Sequence, residues 1–172
     1  QAVISIADRR FAEALELLDA ATGLMPESPL VALYRGEALL RIERLEDALN
    51  EARRANELDL TLLPAYRLLG ETLIANGLPA EALEPLNTYI TYNASDIRAY
   101  VLLARAYEDS GYITAALQAY GQALALDPRQ ADIYLSRAEL YYRGQAYEEA
   151  VEDYEEAFLL DKNRYAGVMG LG

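Results

Sequence analysis

The sequence contains no cysteine and no histidine. That pair of absences removes disulfides, thiol nucleophiles, imidazole bases and the common zinc ligand sets. The lack of cysteine is compatible with any compartment. No run of about 18 apolar residues occurs, so no segment reads as a membrane-spanning helix, and none reads as a signal peptide. β-branched residues are sparse, which argues against a large sheet. Basic residues are outnumbered, with 15 Lys and Arg against 28 Asp and Glu and a formal charge of −13. Such a surface repels a phosphate backbone, so nucleic acid is a poor partner and basic or neutral protein surfaces are better ones. What remains is 172 residues that are 53% hydrophobic, enough for a core, and rich in the helix formers Ala, Leu, Glu and Arg.

An internal repeat organises these residues. Ala14, Ala48, Ala82, Ala116 and Ala150 follow one another at steps of 34. Leu15, Leu49, Leu83, Leu117 and Val151 form the next column, and Gly36, Gly70, Ala104 and Ala138 form a column of small residues. Three residues on, Leu39, Leu73, Tyr107 and Tyr141 are all large. A small column marks two helices in close approach; a large one marks a knob filling a fixed hole. Pro26 and Pro128 share a column where a helix must stop, and Gly77 and Gly111 share one where a tight turn needs a permissive residue. The spacing predicts first helices over about 30–42, 64–76, 98–110 and 131–143. It predicts second helices over about 10–23, 45–58, 79–92, 113–126 and 147–160.

With these columns in place the sequence resembles the tetratricopeptide repeat, whose period is also 34. The copy from about Ile97 to Gln130 carries Tyr100, Leu103, Ala104, Tyr107, Gly111, Ala116, Tyr120, Ala123 and Pro128 in the family's positions. Sel1-like and pentatricopeptide repeats are longer by a residue or two, and the strict step disfavours both. The resemblance implies an all-α, right-handed superhelical solenoid of antiparallel helix pairs. One solenoid domain is expected over 1–172, with a partial repeat at 1–28, repeats at 29–62, 63–96, 97–130 and 131–164, and the start of a further helix at 165–172. Its first repeat has only a stub of a first helix, and the chain reads as a piece of a longer protein. Pro85, inside a second helix, is expected to bend it and face solvent. Tyr89, in a column otherwise held by Ala, is expected to push neighbours apart or turn outward.

No catalytic set is visible. The paired carboxylates Glu148, Glu149, Glu155 and Glu156 read as a solvated acidic face, and no phosphate loop, nucleophile elbow or metal motif appears. The expectation is a non-enzyme without cofactor, catalytic or metal residues. The resemblance implies that first helices line a concave groove holding a peptide or protein, with Leu33, Tyr34, Glu37, Arg67, Glu71, Arg98, Val101, Arg105, Leu135, Glu139 and Tyr142 along it. Arg67, Arg98 and Arg105 form a basic trio that suits a ligand carboxylate. The competing reading pairs Arg67 with Glu71 and Arg105 with Asp109 four residues on. The five-residue clamp by which some relatives grip a chaperone's acidic tail would fall on Arg67, Glu71, Leu102, Asp132 and Ser136, and it is not kept, which argues against that partner. The alternative to a peptide-binding scaffold is a self-assembly module joined through uncapped ends, where a weak helix from Tyr165 would lie over Tyr147, Tyr154 and Phe158.

Overall fold

A computed structural model describes residues 10–168, with side chains for residues 10–162. The described residues form nine helices and no strand: α1 (Phe11–Leu24), α2 (Pro29–Arg41), α3 (Leu45–Leu58), α4 (Leu63–Ala75), α5 (Pro79–Tyr92), α6 (Ile97–Asp109), α7 (Ile113–Leu126), α8 (Ala131–Arg143) and α9 (Tyr147–Val168). Eight of the nine lie within a residue or two of the spans that the periodicity predicts. Among them no helix is long and apolar enough to cross a membrane. Contacts group the chain into two compact units, residues 1–94 and 95–172.

In the first unit α2 pairs with α3 and α4 with α5, and α1 packs on α2 as α3 does on α4. Ala14, Leu15, Leu18, Val31, Ala38, Leu39 and Ala48 form one core cluster; Ala32, Leu33, Ala52, Ala55, Ala65 and Leu68 form the next. The small column sits where helices approach. A Cβ on Gly36 would meet Leu68 Cδ2 at 2.9 Å, and one on Gly70 would meet Leu86 Cγ at 2.4 Å. In the second unit α6 pairs with α7, α8 with α9, and α7 packs on α8. There Ala104 and Ala138 are fully buried, so the same column is tight without glycine.

Each turn inside a hairpin ends its first helix in one way. An amide just past the helix reaches back to the carbonyl five residues earlier: Arg44 to Leu39 at 3.0 Å, Leu78 to Leu73 at 2.9 Å, Tyr112 to Tyr107 at 2.8 Å and Ala146 to Tyr141 at 2.9 Å. This closure needs a left-handed residue just before the donor. Gly77 and Gly111 supply it at φ 74° and 82°, as their column suggests; Glu43 and Gln145 adopt it at φ 61° and 62° without being glycine. Two of the turns between hairpins rest on an aspartate in one column. Asp59 accepts from the Thr61 amide at 2.8 Å, and Asp127 from the Arg129 amide at 3.0 Å. The Thr61 hydroxyl, then its amide, hold the Asp59 carboxyl below the usual range, and the Gln130 side chain does the same first for Asp127.

Three expectations are corrected. Pro85 is buried, and α5 runs on through it. Its column holds Glu51, Ala119 and Asp153, all buried, so this position faces the first helix of its own hairpin, and an apolar ring suits it. Leu33 is 3% exposed and belongs to the second core cluster, so it is a core residue and not a groove residue. The last second helix does not stop near 160: α9 continues to Val168. Asp161 stands where Asp59 and Asp127 make their turns, yet the helix is not interrupted there. The stub at Gln1 to Asp8, and the side chains of Val168, Met169 and Leu171, lie outside the described residues.

Candidate functional site

Arg98, Val101 and Arg105 recur at helical spacing and share one face of α6. Both arginines are exposed and Val101 is half-buried. One repeat on, α8 presents Asp132, Leu135 and Glu139 in the same columns, followed by Tyr142; all four are exposed. The second unit thus offers a first-helix face with cations on α6, carboxylates on α8 and two open apolar side chains, Leu135 and Tyr142. Tyr142 packs edge-on against Tyr147 at 5.6 Å between ring centroids. Below this face Glu108 ties the helices together, bonded by Arg143 of α8 and by the Tyr120 hydroxyl of α7 at 3.4 Å. Burial, and then the charge of Glu108, push the Tyr120 phenol up to about 12.

The corresponding face of the first unit is electrostatically closed. Arg67 lies 3.6 Å from Glu71 and 3.9 Å from Glu37, and Arg41 reaches Glu71 at 3.5 Å. The i, i+4 pairing of Arg67 with Glu71 is therefore present, strengthened by Glu37 from the neighbouring first helix. Tyr34 is half-buried against the first core cluster. It shares its column with the buried Leu68 and Leu102, so it is partly a packing residue. The arginine trio does not assemble in either unit: Arg67 belongs to the first, Arg98 and Arg105 to the second.

Sequence reasoning missed a second charged constellation. Arg137 of α8 holds Asp153 of α9 with two bonds, at 2.7 and 2.6 Å, and lies over the rings of Tyr134 and Tyr141. The hydrogen bond to Asp153 holds its guanidinium above the ordinary value despite burial. Three repeats earlier Arg35 bonds Glu51 in the same columns, and also Asp19 of α1 at 2.9 Å. Burial works against the Arg35 charge, but Glu51 and Asp19 outweigh it and raise its pKa. The two intervening hairpins put Leu69 with Pro85, and Leu103 with Ala119, at these positions. The signal was available: 16 residues separate the partners, and ionic or apolar character changes in both columns together.

These hairpins, with one turn geometry and one set of close contacts repeated along the chain, define a helical-hairpin repeat protein. Residues 5–59 and 131–164 match the family described as tetratricopeptide repeat, and residues 104–145 match that described as TPR repeat. Together these segments span more than half of the chain, which is a tetratricopeptide repeat protein with an all-α solenoid fold. No curated protein sequence matches it. Among solved structures it is similar to MamA from residue 41 to the end, from Desulfovibrio magneticus RS-1, at 20% identity and TM-score 0.88, covering 94% of this chain and 92% of that one. A further crystal structure of MamA matches at 21% identity and TM-score 0.86, covering 95% and 96%. YrrB, described as a TPR protein with an unusual peptide-binding site, matches at 19% identity and TM-score 0.81, covering 98% and 87%. At these identities the likeness is one of fold.

Proposed function

We propose that this chain is a non-catalytic scaffold that holds a protein or peptide against the first helices of its repeats. The observation that carries the reading is the second unit's first-helix face. Arg98 and Arg105 stand exposed on α6 beside the open side chains of Leu135 and Tyr142 on α8. Arginine and tyrosine are favoured where binding energy concentrates, because a planar guanidinium binds a carboxylate at two points and a phenol brings area with little entropy to lose. The peptide-binding site described for YrrB supports the same class of role. The first unit's face, with Arg67 and Arg41 already matched to Glu37 and Glu71, would contribute shape more than charge.

The test is a peptide array screened with the whole chain and with the Arg98→Glu, Arg105→Glu double variant. Bound sequences should be enriched in Asp, Glu or a free C-terminal carboxylate. The double variant should lose them by about tenfold or more while its helical circular dichroism stays unchanged. Peptides held equally well by both proteins would place binding off this face and end the proposal.

A further inference from the structure

The turn between α4 and α5 holds two neighbouring residues that can react with each other. Asn76 is the one asparagine in the sequence that is followed by glycine. Glycine has no side chain to shield its backbone nitrogen, so the Gly77 nitrogen can attack the side-chain carbonyl of Asn76. A bond forms from that nitrogen to Cγ, the Cγ–Nδ2 bond breaks, and ammonia leaves with the proton that the nitrogen gave up. Water then opens the ring at one of its two carbonyls and leaves aspartate or isoaspartate at position 76.

The folded turn keeps the two groups apart. Asn76 caps the end of α4 at φ −86° and ψ 7°. At that ψ the Gly77 nitrogen is nearly eclipsed with the backbone nitrogen of Asn76, whereas ring closure needs it eclipsed with Cβ. Asn76 Nδ2 donates to the Thr72 carbonyl at 2.8 Å and to the Leu45 carbonyl at 2.9 Å. Both partners can only accept, so the NH2 end of the side chain has to face them. The attacking nitrogen is held as well, since the Gly77 amide donates to the Ile74 carbonyl at 3.0 Å. The Leu78 amide then closes the turn onto Leu73. Rotation of ψ to the reactive geometry has to break this closure.

The same side chain is a tie between hairpins. Leu45 begins α3, so its bond to Asn76 joins the end of α4 to the start of the helix before it. Ile42, Ser110 and Gly144 hold this position in the other three turns, and none carries an amide. An ionised carboxylate has no proton to donate. After the reaction it would face the Thr72 and Leu45 carbonyl oxygens, and two bonds would become repulsions. Isoaspartate also adds a carbon to the main chain, in a turn where Gly77 sits at φ 74°. Either product therefore opposes closing the turn again.

We propose that Asn76 and Gly77 form a deamidation site gated by opening of the α4–α5 turn, and that the reaction cuts the tie between α4 and α3. Folding suppresses the chemistry, and each event loosens the first unit for good. The proposal does not depend on the peptide-binding reading. The experiment incubates the whole chain with and without urea at neutral and mildly alkaline pH. Mass spectrometry of the peptide spanning Asn76 follows the mass gain from amide to acid. The unfolded chain should convert at least about tenfold faster than the folded one, because only the open turn can react. Its rate should rise with pH, since the attacking nitrogen must lose its proton. Converted protein, once refolded, should melt several degrees below fresh protein, and so should Asn76→Asp. Asn76→Ser copies the Ser110 and Gly111 turn and cannot react, so its melting temperature should not change with incubation. Equal rates in the folded and unfolded chains would remove the gate. No conversion at Asn76 in urea would remove the site. Asn76→Asp melting with the parent, or Asn76→Ser ageing as fast as the parent, would overturn the role of the tie.

Discussion

The two units solve one packing problem in opposite order. In residues 1–94 the α2–α3 hairpin is locked by Arg35 and Glu51, and the α4–α5 hairpin by Leu69 and the buried Pro85. In residues 95–172 the α6–α7 hairpin uses Leu103 and Ala119, and the α8–α9 hairpin uses Arg137 and Asp153. The backbone is the same in each case. The position therefore demands a matched pair and not a particular chemistry. A charged pair there must overcome the desolvation of both groups, while an apolar pair has no such cost.

The sharpest way to break this comparison is to leave one partner alone. Asp153→Ala strands a half-buried guanidinium and should cost about 3 kcal/mol, since removing one member of a buried pair leaves a charge without compensation. Adding Arg137→Leu copies the neighbouring Leu103 and Ala119 solution and should restore most or all of that loss. Chemical denaturation of the two variants checks both halves. If the double variant is no more stable than the single one, the columns are not interchangeable.

A smaller effect is expected from the two small-residue columns, that of Gly70 and that of Ala116. Gly70 has no room even for a methyl group, with Leu86 in the way, and Ala116 is fully buried. Gly70→Leu and Ala116→Leu should each cost about 1–3 kcal/mol by overpacking, with Gly70 the worse. Thermal melting should fall by several degrees in each; an unchanged curve for Ala116→Leu would mean that this site can open.

The smallest effect should stabilise. Glu43 and Gln145 take the left-handed conformation that Gly77 and Gly111 take in the other two turns. A side chain there costs about 1 kcal/mol or somewhat more, so Glu43→Gly and Gln145→Gly should each raise the melting temperature, and Gly77→Ala should lower it. A fall in either glycine variant would show that the side chain's own contacts outweigh the strain.

The sequence made the helices legible because their period is written in several columns at once. Helix ends were readable where a Pro, Gly or Asp marks them, with α9 the exception: it runs on through Asp161. Lys162 in place of Pro128 does not explain this, since Leu60 and Ala94 share that column behind helices that do stop. The left-handed turns were half readable: two of the four residues are glycine, and Glu43 and Gln145 give no local sign. Pro85 was misplaced because a proline in a helix was judged alone, without its column mates Glu51, Ala119 and Asp153. The site was less legible than the fold. Leu33 shares a column with Arg67, Val101 and Leu135, yet its own neighbours bury it, and column membership does not report how far a neighbouring helix covers a side chain. Arg35 and Arg137 escaped notice because pairs were sought four residues apart on one helix, and these reach across a hairpin.

The paired columns also constrain how such a chain can change by exchange of its own parts. Hairpins with one backbone and one period invite unequal crossing-over between repeats, and most junctions would be silent in the fold. A crossover that joins α2 to α9 sets Arg35 against Asp153 and keeps a salt bridge. One that joins α2 to α7 sets the same arginine against Ala119 and takes away its hairpin partner, leaving it only Asp19 of α1. The four hairpins therefore fall into two compatibility groups. Shuffling within a group is tolerated and shuffling between groups is penalised, so this buried position acts as a barrier to recombination inside a single gene.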